Sequence, residues 1–192
     1  MAREQDPLSV EYLLLGIIRK KPIHAYDLDK MLRNVPEFHI VWRFKQSQLY
    51  ATLNKLERNQ LISSTLAAGS AFPFRKVYTT TELGNREFEK WRESPVDYPN
   101  LIRSEYMIKV LFLLEEPYPE FERLINIQVR ECHRWLDNLE KRGKKDNQKS
   151  LYQQVVIEYR RKNIEATIDW LNSCLELRKG KEGTFPGEGL SL

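Results

Sequence analysis

The apolar residues of this chain recur at helical spacing along most of its length, and the pattern breaks once. Between Leu61 and Thr80 it gives way to two β-prone runs, 61–66 and 75–80, separated by a stretch holding Gly69 and Pro73. Such runs flanking glycine and proline predict a two-stranded hairpin with an irregular tip. A mainly α fold with one small β insertion follows.

Ahead of the hairpin, SVEYLLLGIIRKK carries Val10, Leu13, Leu14, Ile17 and Ile18 on one helical face. Ser9 suits its N-cap, Glu11 its first turn and Arg19, Lys20 and Lys21 its C-terminus, before Pro22 stops it. IHAYDLDKMLRN predicts a second helix burying Leu28, Met31 and Leu32, with His24 as a capping or packed histidine near its start. Pro36 closes that segment, and Phe38, Trp42 and Phe44 lead into WRFKQSQLYATLNKLERN, residues 42–59. There Leu49, Leu53 and Leu56 step at +4 and +3 along one face. Lys45, Gln46, Ser47, Gln48, Tyr50, Asn54, Lys55 and Arg58 supply cationic, amide and hydroxyl groups, the types that meet phosphates and base edges. Taken alone, this helix reads equally well as a solvated surface helix. Three short helices with brief connections form a helix-turn-helix unit, and a hairpin after one is a wing. Arg75 and Lys76 open its return strand, within reach of phosphates. Thr81 caps the next helix, with Leu83, Phe88 and Trp91 as its apolar positions. SPVDYPN, with Pro95 and Pro99, marks a domain junction.

The second half is helical throughout, starting with Ile102, Tyr106 and Leu113. Phe121, Leu124, Gln128, Cys132, Trp135 and Leu139 step at +3, +4, +4, +3 and +4, close to a heptad seam with one polar member. After KRGKKDNQK the pattern resumes with Leu151, Val155 and Tyr159, then Ile164, Ile168, Leu171 and Leu175. Two long helices with narrow seams predict an antiparallel hairpin, and such seams often need a second chain to cover them. The expected organisation is a winged helix-turn-helix DNA-binding domain over 1–95, a helical, coiled-coil-like dimerisation and effector domain over 96–179, and a disordered tail over 180–192. Trp135, Tyr152 and Trp170 are candidate effector-pocket aromatics, and each also reads as plain core or interface packing.

Composition narrows the function. Residues 1–95 hold 15 Lys/Arg against 11 Asp/Glu and residues 96–192 hold 16 of each, so the net charge of +4 lies wholly in the first half. A polyanion partner for that half is the simplest reading. No apolar run approaches the ~18 residues of a membrane span, and MAREQDPLS lacks a secretory apolar core. Two distant cysteines, Cys132 and Cys174, suit a reducing cytoplasm without a disulfide framework. Cys132 and His133 are neighbours on a helix, so their side chains diverge by about 100° and form no dyad. Without a glycine-rich phosphate loop, a GxSxG context or metal-ligand spacing, the sequence predicts no catalysis, cofactor or metal.

Three strings carry a family resemblance: LLLGIIRKKPIHAYDL (13–28), QLYATLNKLERNQLI (48–62) and KVYTTTELGNREFEKW (76–91). They resemble the PadR family of bacterial transcription regulators. Its pattern has an apolar helix, a turn with proline and histidine, and Gly-Tyr-Glu-Leu; here Ala25 replaces the glycine and Asp27 the glutamate. Leu49, Tyr50, Leu53, Leu56 and Glu57 match the Leu-Tyr and Leu-x-x-Leu-Glu run, with Ala51 where many members have proline. Val77, Tyr78, Thr80, Gly84 and Trp91 match the wing-to-helix segment, and RSEYMIKVLFLLEE is similar to the first helix after the junction in long-form members. The resemblance implies a winged helix-turn-helix homodimer that binds double-stranded DNA and represses transcription. It also implies a small aromatic, phenolic acid-like effector in some members. The DNA-contacting set it implies here is Lys45, Gln46, Ser47, Gln48, Tyr50, Lys55, Arg75 and Lys76. The competing reading is a protein-interaction module that docks through the helix-turn-helix and binds no DNA sequence specifically.

Overall fold

The computed structural model describes residues 9–36, 38, 45–66, 76–144 and 150–181. The chain divides into two compact units, the first running to Glu93 and the second beginning at Ser94. Mainly helical, it carries one small antiparallel sheet. No helix among the described residues is long and apolar enough to cross a membrane.

The first unit comprises α1 (Ser9–Lys20), β1 (Ile23–His24), α2 (Ala25–Asn34), α3 (Gln46–Arg58), β2 (Ile62–Leu66), β3 (Lys76–Thr80) and α4 (Glu82–Glu93). Its centre is α1, which touches α3, α4 and β3. Leu13, Leu14, Leu15, Ile17 and Ile18 are buried there, as are Leu28, Met31 and Leu32 of α2, Leu49, Leu53 and Leu56 of α3, and Phe88 and Trp91 of α4. Burying each such side chain stabilises by roughly 1.5–3 kcal/mol. Tyr12 stacks flat on Trp91 at 4.4 Å between ring centroids, and Arg19 lies 5.3 Å over Phe88 while its guanidinium meets Glu89 at 2.5 Å.

The sheet has three strands rather than two, in the order β1-β3-β2. Ile23 and His24 do not open the second helix as the apolar spacing predicts. They run extended opposite Tyr78 and Val77 of β3, and helix begins at Ala25. Pro22 ends α1, and the next two residues pair with β3 before the chain can turn. The His24 Nδ1 lies 3.2 Å from the Lys76 carbonyl, which can only accept, so that nitrogen carries the proton. Where α3 hands over to the sheet, Gln60 stands at φ 58°, a left-handed conformation that a side chain disfavours. The Thr81 hydroxyl donates to the Gln60 carbonyl at 2.6 Å and accepts from the Gly84 amide at 3.0 Å, capping α4. A β-carbon on Gly84 would come 2.0 Å from the Leu61 carbonyl oxygen. Only glycine lets α4 cross so close to the end of α3.

The second unit opens with a π-helical turn (Ile102–Tyr106), followed by α5 (Met107–Leu113) and the long helices α6 (Tyr118–Lys144) and α7 (Leu151–Arg178). Ser150 caps α7 reciprocally. Its hydroxyl accepts from the Gln153 amide at 3.2 Å, and its own amide donates to Gln153 Oε1 at 2.8 Å. Phe121, Leu124, Ile125, Cys132 and Trp135 of α6 form one core with Tyr106, Leu113, Ile164 and Leu171. Arg178 closes the far end, donating to the carbonyls of Leu114 at 3.3 Å and Glu116 at 3.0 Å.

The α7 seam divides in two. Ile164 and Leu171 are buried, with Ile168 and Leu175 packed beside them, whereas Leu151, Tyr152, Val155 and Tyr159 are exposed. The step from Tyr159 to Ile164 is five residues. At 100° per residue that step puts the two halves of the stripe on roughly opposite faces of the helix.

Candidate nucleic-acid interface

The leucines fix the orientation of α3. With Leu49, Leu53 and Leu56 buried, the opposite face carries Ser47, Tyr50, Asn54 and Arg58, all exposed and spaced +3, +4 and +4. Ala51, also exposed, lies beside the row and adds no bulk to it. Lys45 and Gln46 precede the row at the helix N-terminus, both exposed. Asn54 and Arg58, of suitable residue type but outside the expected contact set, belong to the row. Their spacing from Ser47 and Tyr50 is the signal that could have found them.

Four of the expected DNA-contacting residues, Lys45, Gln46, Ser47 and Tyr50, come together at the start of this face. Gln48 faces away from its centre and does other work: the Lys45 amide donates to Gln48 Oε1 at 3.3 Å, so its carbonyl caps the helix start. The Gln48 backbone carbonyl in turn accepts the Thr52 hydroxyl at 2.7 Å.

Lys55 and Lys76 turn toward carboxylates. Lys55 Nζ meets Glu11 Oε1 at 2.6 Å, and Glu11 belongs to α1, its carboxylate mostly shielded from water. That pair braces α3 on α1. Lys76 Nζ lies 3.4 Å from Glu57 Oε2, while Ser64 Oγ donates to Glu57 Oε1 at 2.5 Å. The Ser64 hydroxyl first, and then the Lys76 ammonium, hold the Glu57 carboxyl below its usual range. Burial pushes the nearby Tyr78 phenol up. Helix α3 and the wing are therefore joined through Glu57. Neither carboxylate could be found from the sequence, because the pairs span 44 and 19 residues. Arg75 and the wing tip lie outside the described residues, as does Trp42.

The aromatic candidates of the second unit do not assemble. Trp135 is buried in the core and Trp170 packs against it, edge-on to Tyr106 at 6.3 Å. Tyr152 is exposed and lies 18 residues before Trp170 on the same straight helix, about 27 Å away at 1.5 Å per residue. One chain cannot line a single pocket with both. The buried Tyr106 hydroxyl and Trp135 Nε1 find no hydrogen-bond partner among the described residues. Burial pushes the Tyr106 phenol well above its ordinary value and the Cys132 thiol up to about 11, and raises Cys174 as well. Burial thus disfavours the thiolate at both cysteines.

Two family models match the chain. Residues 14–90 match the model of the transcriptional regulator PadR-like family, and residues 102–178 match that of the virulence activator alpha C-terminal family. The negative transcriptional regulator PadR of Bacillus subtilis (strain 168) is 29% identical over 106 residues, which span 54% of this chain and 56% of that protein. Among solved structures, Bacillus subtilis PadR in complex with operator DNA is 23% identical with a TM-score of 0.44, over 88% of this chain and 99% of that one. The PadR-like regulator BC1756 of Bacillus cereus is 19% identical with a TM-score of 0.42, over 93% and 100%. The first unit thus carries the PadR-like transcriptional regulator domain over residues 14–90, and the long helical second unit carries the virulence activator alpha C-terminal domain over residues 102–178.

Proposed function

We propose that this chain is a homodimeric DNA-binding repressor that reads a pseudo-palindromic operator with α3 and the wing. The observation that carries the reading is the exposed polar row Ser47, Tyr50, Asn54 and Arg58 opposite the buried leucines of α3. A helix presenting such a row, with its N-terminal turn leading, enters the major groove. Gln46 pairs with an adenine edge, and Lys45 addresses guanine or phosphate. Ser47 and Tyr50 bond phosphate oxygens and fix the register, with Asn54 and Arg58 extending the contact along the helix. Lys76 lies beside this surface with Glu57 as counter-ion, and Arg75 adds sequence-independent attraction from the wing. Lys55 serves as a brace and contributes little to DNA.

The second unit supplies the dimer. Leu151, Tyr152, Val155 and Tyr159 leave an apolar stripe exposed, and a second copy covers it. Two-fold symmetry then spaces the recognition helices about one DNA turn, ~34 Å, apart. A small aromatic effector of the kind the family resemblance implies acts through this unit, meeting Tyr106 and Trp170 rather than Trp135 with Tyr152. It works only by binding the two dimer states unequally.

Electrophoretic shifts with DNA from upstream of the chain's own gene test the reading. Lys45→Ala should weaken binding and lower the salt slope by about one, and Arg75→Ala should do the same. Val155→Asp should give a folded monomer in sedimentation, with DNA affinity reduced by orders of magnitude. Unchanged affinity and slope in both cation variants, or a wild-type monomer at micromolar concentration, would sink it.

A further inference from the structure

The junction of α3 with the wing holds an ion pair that stability alone does not explain. Glu57, near the C-terminal end of α3, and Lys76, the first residue of β3, meet at 3.4 Å with side chains 31% and 50% exposed. Pairs so open to water add little to a fold. Yet the carboxylate is held in place, because Ser64 of β2 donates to its other oxygen at 2.5 Å. The pairing of β2 with β3 puts Ser64, Lys76 and Tyr78 on one face of the sheet, the face on which Ile62 and Tyr78 are buried. Tyr50 of the exposed row on α3 is close by. Burial pushes the Tyr78 phenol up, and Lys76, Glu57 and Tyr50 all act on it electrostatically. A carboxylate therefore stands at the edge of the surface read above as facing DNA.

Such a carboxylate opposes binding twice over: it repels phosphate, and it occupies the cation that would meet one. Specificity is often built in this way, by an element that works against the wrong partner. Unrelated DNA is held essentially by phosphate attraction in shifting registers, so no one phosphate stays opposite Lys76. On an operator, base contacts from the N-terminal turn of α3 fix the register and keep a phosphate beside the wing, where the ammonium can exchange partners. We propose that Glu57 is a specificity-determining residue: it competes with phosphate for the Lys76 ammonium, and only DNA seated in register displaces it. The inference rests on the DNA-binding reading above. A glutamine at this position could still accept the Ser64 hydroxyl, so the charge can be removed with the junction kept.

The test uses the full-length chain, a palindromic duplex that the wild type selects from a random pool, and an unrelated duplex of equal length. On the unrelated duplex, Glu57→Gln should bind about fourfold more tightly, with a salt slope steeper by about one. On the selected duplex its gain should stay under about twofold. Lys76→Ala should weaken unrelated-DNA binding more in the Glu57→Gln background than in the wild type. Ser64→Ala, which takes a bond from the same junction but no charge, should leave the ratio of the two affinities as in the wild type. Equal gains on both duplexes overturn the proposal. So does an additive Glu57–Lys76 cycle, which would mean net charge only, or a Ser64→Ala variant that reproduces Glu57→Gln.

A second measurement needs no base sequence. On heparin, a polyanion without bases, Glu57→Gln should elute at higher salt, and Lys76→Ala should lower the elution salt more in that background than in the wild type. Additive shifts overturn the competition between Glu57 and phosphate. If the wild type selects no duplex, the DNA-binding reading fails, and the heparin cycle alone decides whether Glu57 masks Lys76.

Discussion

The two units treat polar and apolar groups in opposite ways. In the first, apolar residues are gathered inside, and the half-exposed ammoniums of Lys55 and Lys76 pair with a buried Glu11 and a partly exposed Glu57, each pair joining α3 to a neighbour. In the second, Lys109 and Gln128 are fully buried while Leu151, Tyr152, Val155 and Tyr159 face outward. The first unit gathers its core around α1, whereas the second leaves one half of the α7 stripe exposed.

The hardest blow to the closed first unit is steric. Gly84→Val should cost more than about 3 kcal/mol, because its β-carbon would meet the Leu61 carbonyl oxygen at 2.0 Å and backbone cannot yield cheaply. Thermal melting followed by circular dichroism should show the first unit's transition falling by over ~10 °C. A shift of a degree or two would mean that α3 and α4 are not locked as described.

The second unit should show its strain in its pH dependence. Burial lowers the Lys109 ammonium from 10.5 to about 8, against the opposing pull of Glu105 and Asp97. Below pH 8 the folded chain carries that buried charge at a cost. As pH rises from 8 toward 10.5 the unfolded state binds the extra proton, so the cost fades. The wild type should therefore gain up to about 3 kcal/mol over that range relative to Lys109→Met. Cys132, raised from 9.0 to about 11, works in the opposite direction, losing stability as pH climbs through that window. It is common to both proteins and cancels in the comparison. Parallel urea curves for the two chains across this range would remove the buried charge from the account.

Smaller effects separate cations of one helix. Lys55→Ala should destabilise by about 1 kcal/mol, since it leaves the shielded Glu11 carboxylate without its ammonium, whereas Lys45→Ala should fall within about 0.5 kcal/mol. DNA affinity should rank them in reverse. If Lys55→Ala proves the worse binder at unchanged stability, the brace is wrongly assigned. Smallest of all, Gln60→Gly should stabilise by about 0.5–1 kcal/mol by relieving the left-handed residue, provided the Thr81 bond to its carbonyl survives in denaturant titrations.

Much of this was legible in the residues because local rules govern it. The buried leucines of α3 and the hairpin follow from period, and the Thr81 cap from a hydroxyl three residues before a free amide. What escaped reading depended on distance along the chain. The two-residue strand β1 is too short to carry a period, and exists because β3 offers it an edge. Lys55 and Lys76 look like DNA cations in any local window; their pairing with Glu11 and Glu57 comes from 44 and 19 residues away.

By itself, the sequence determined helical content, the place of the wing and which face of α3 is apolar, because side-chain spacing and turn chemistry act over a few residues. The tertiary structure alone decided which cations face outward, why a glutamine stands in a heptad seam, where it accepts the Val96 amide, and that the α7 stripe splits between core and surface. Each of those depends on which groups from distant parts of the chain are brought together, and the glutamine and the stripe on which share a low-dielectric interior. There an unpaired charge or amide is far costlier than it would be in water.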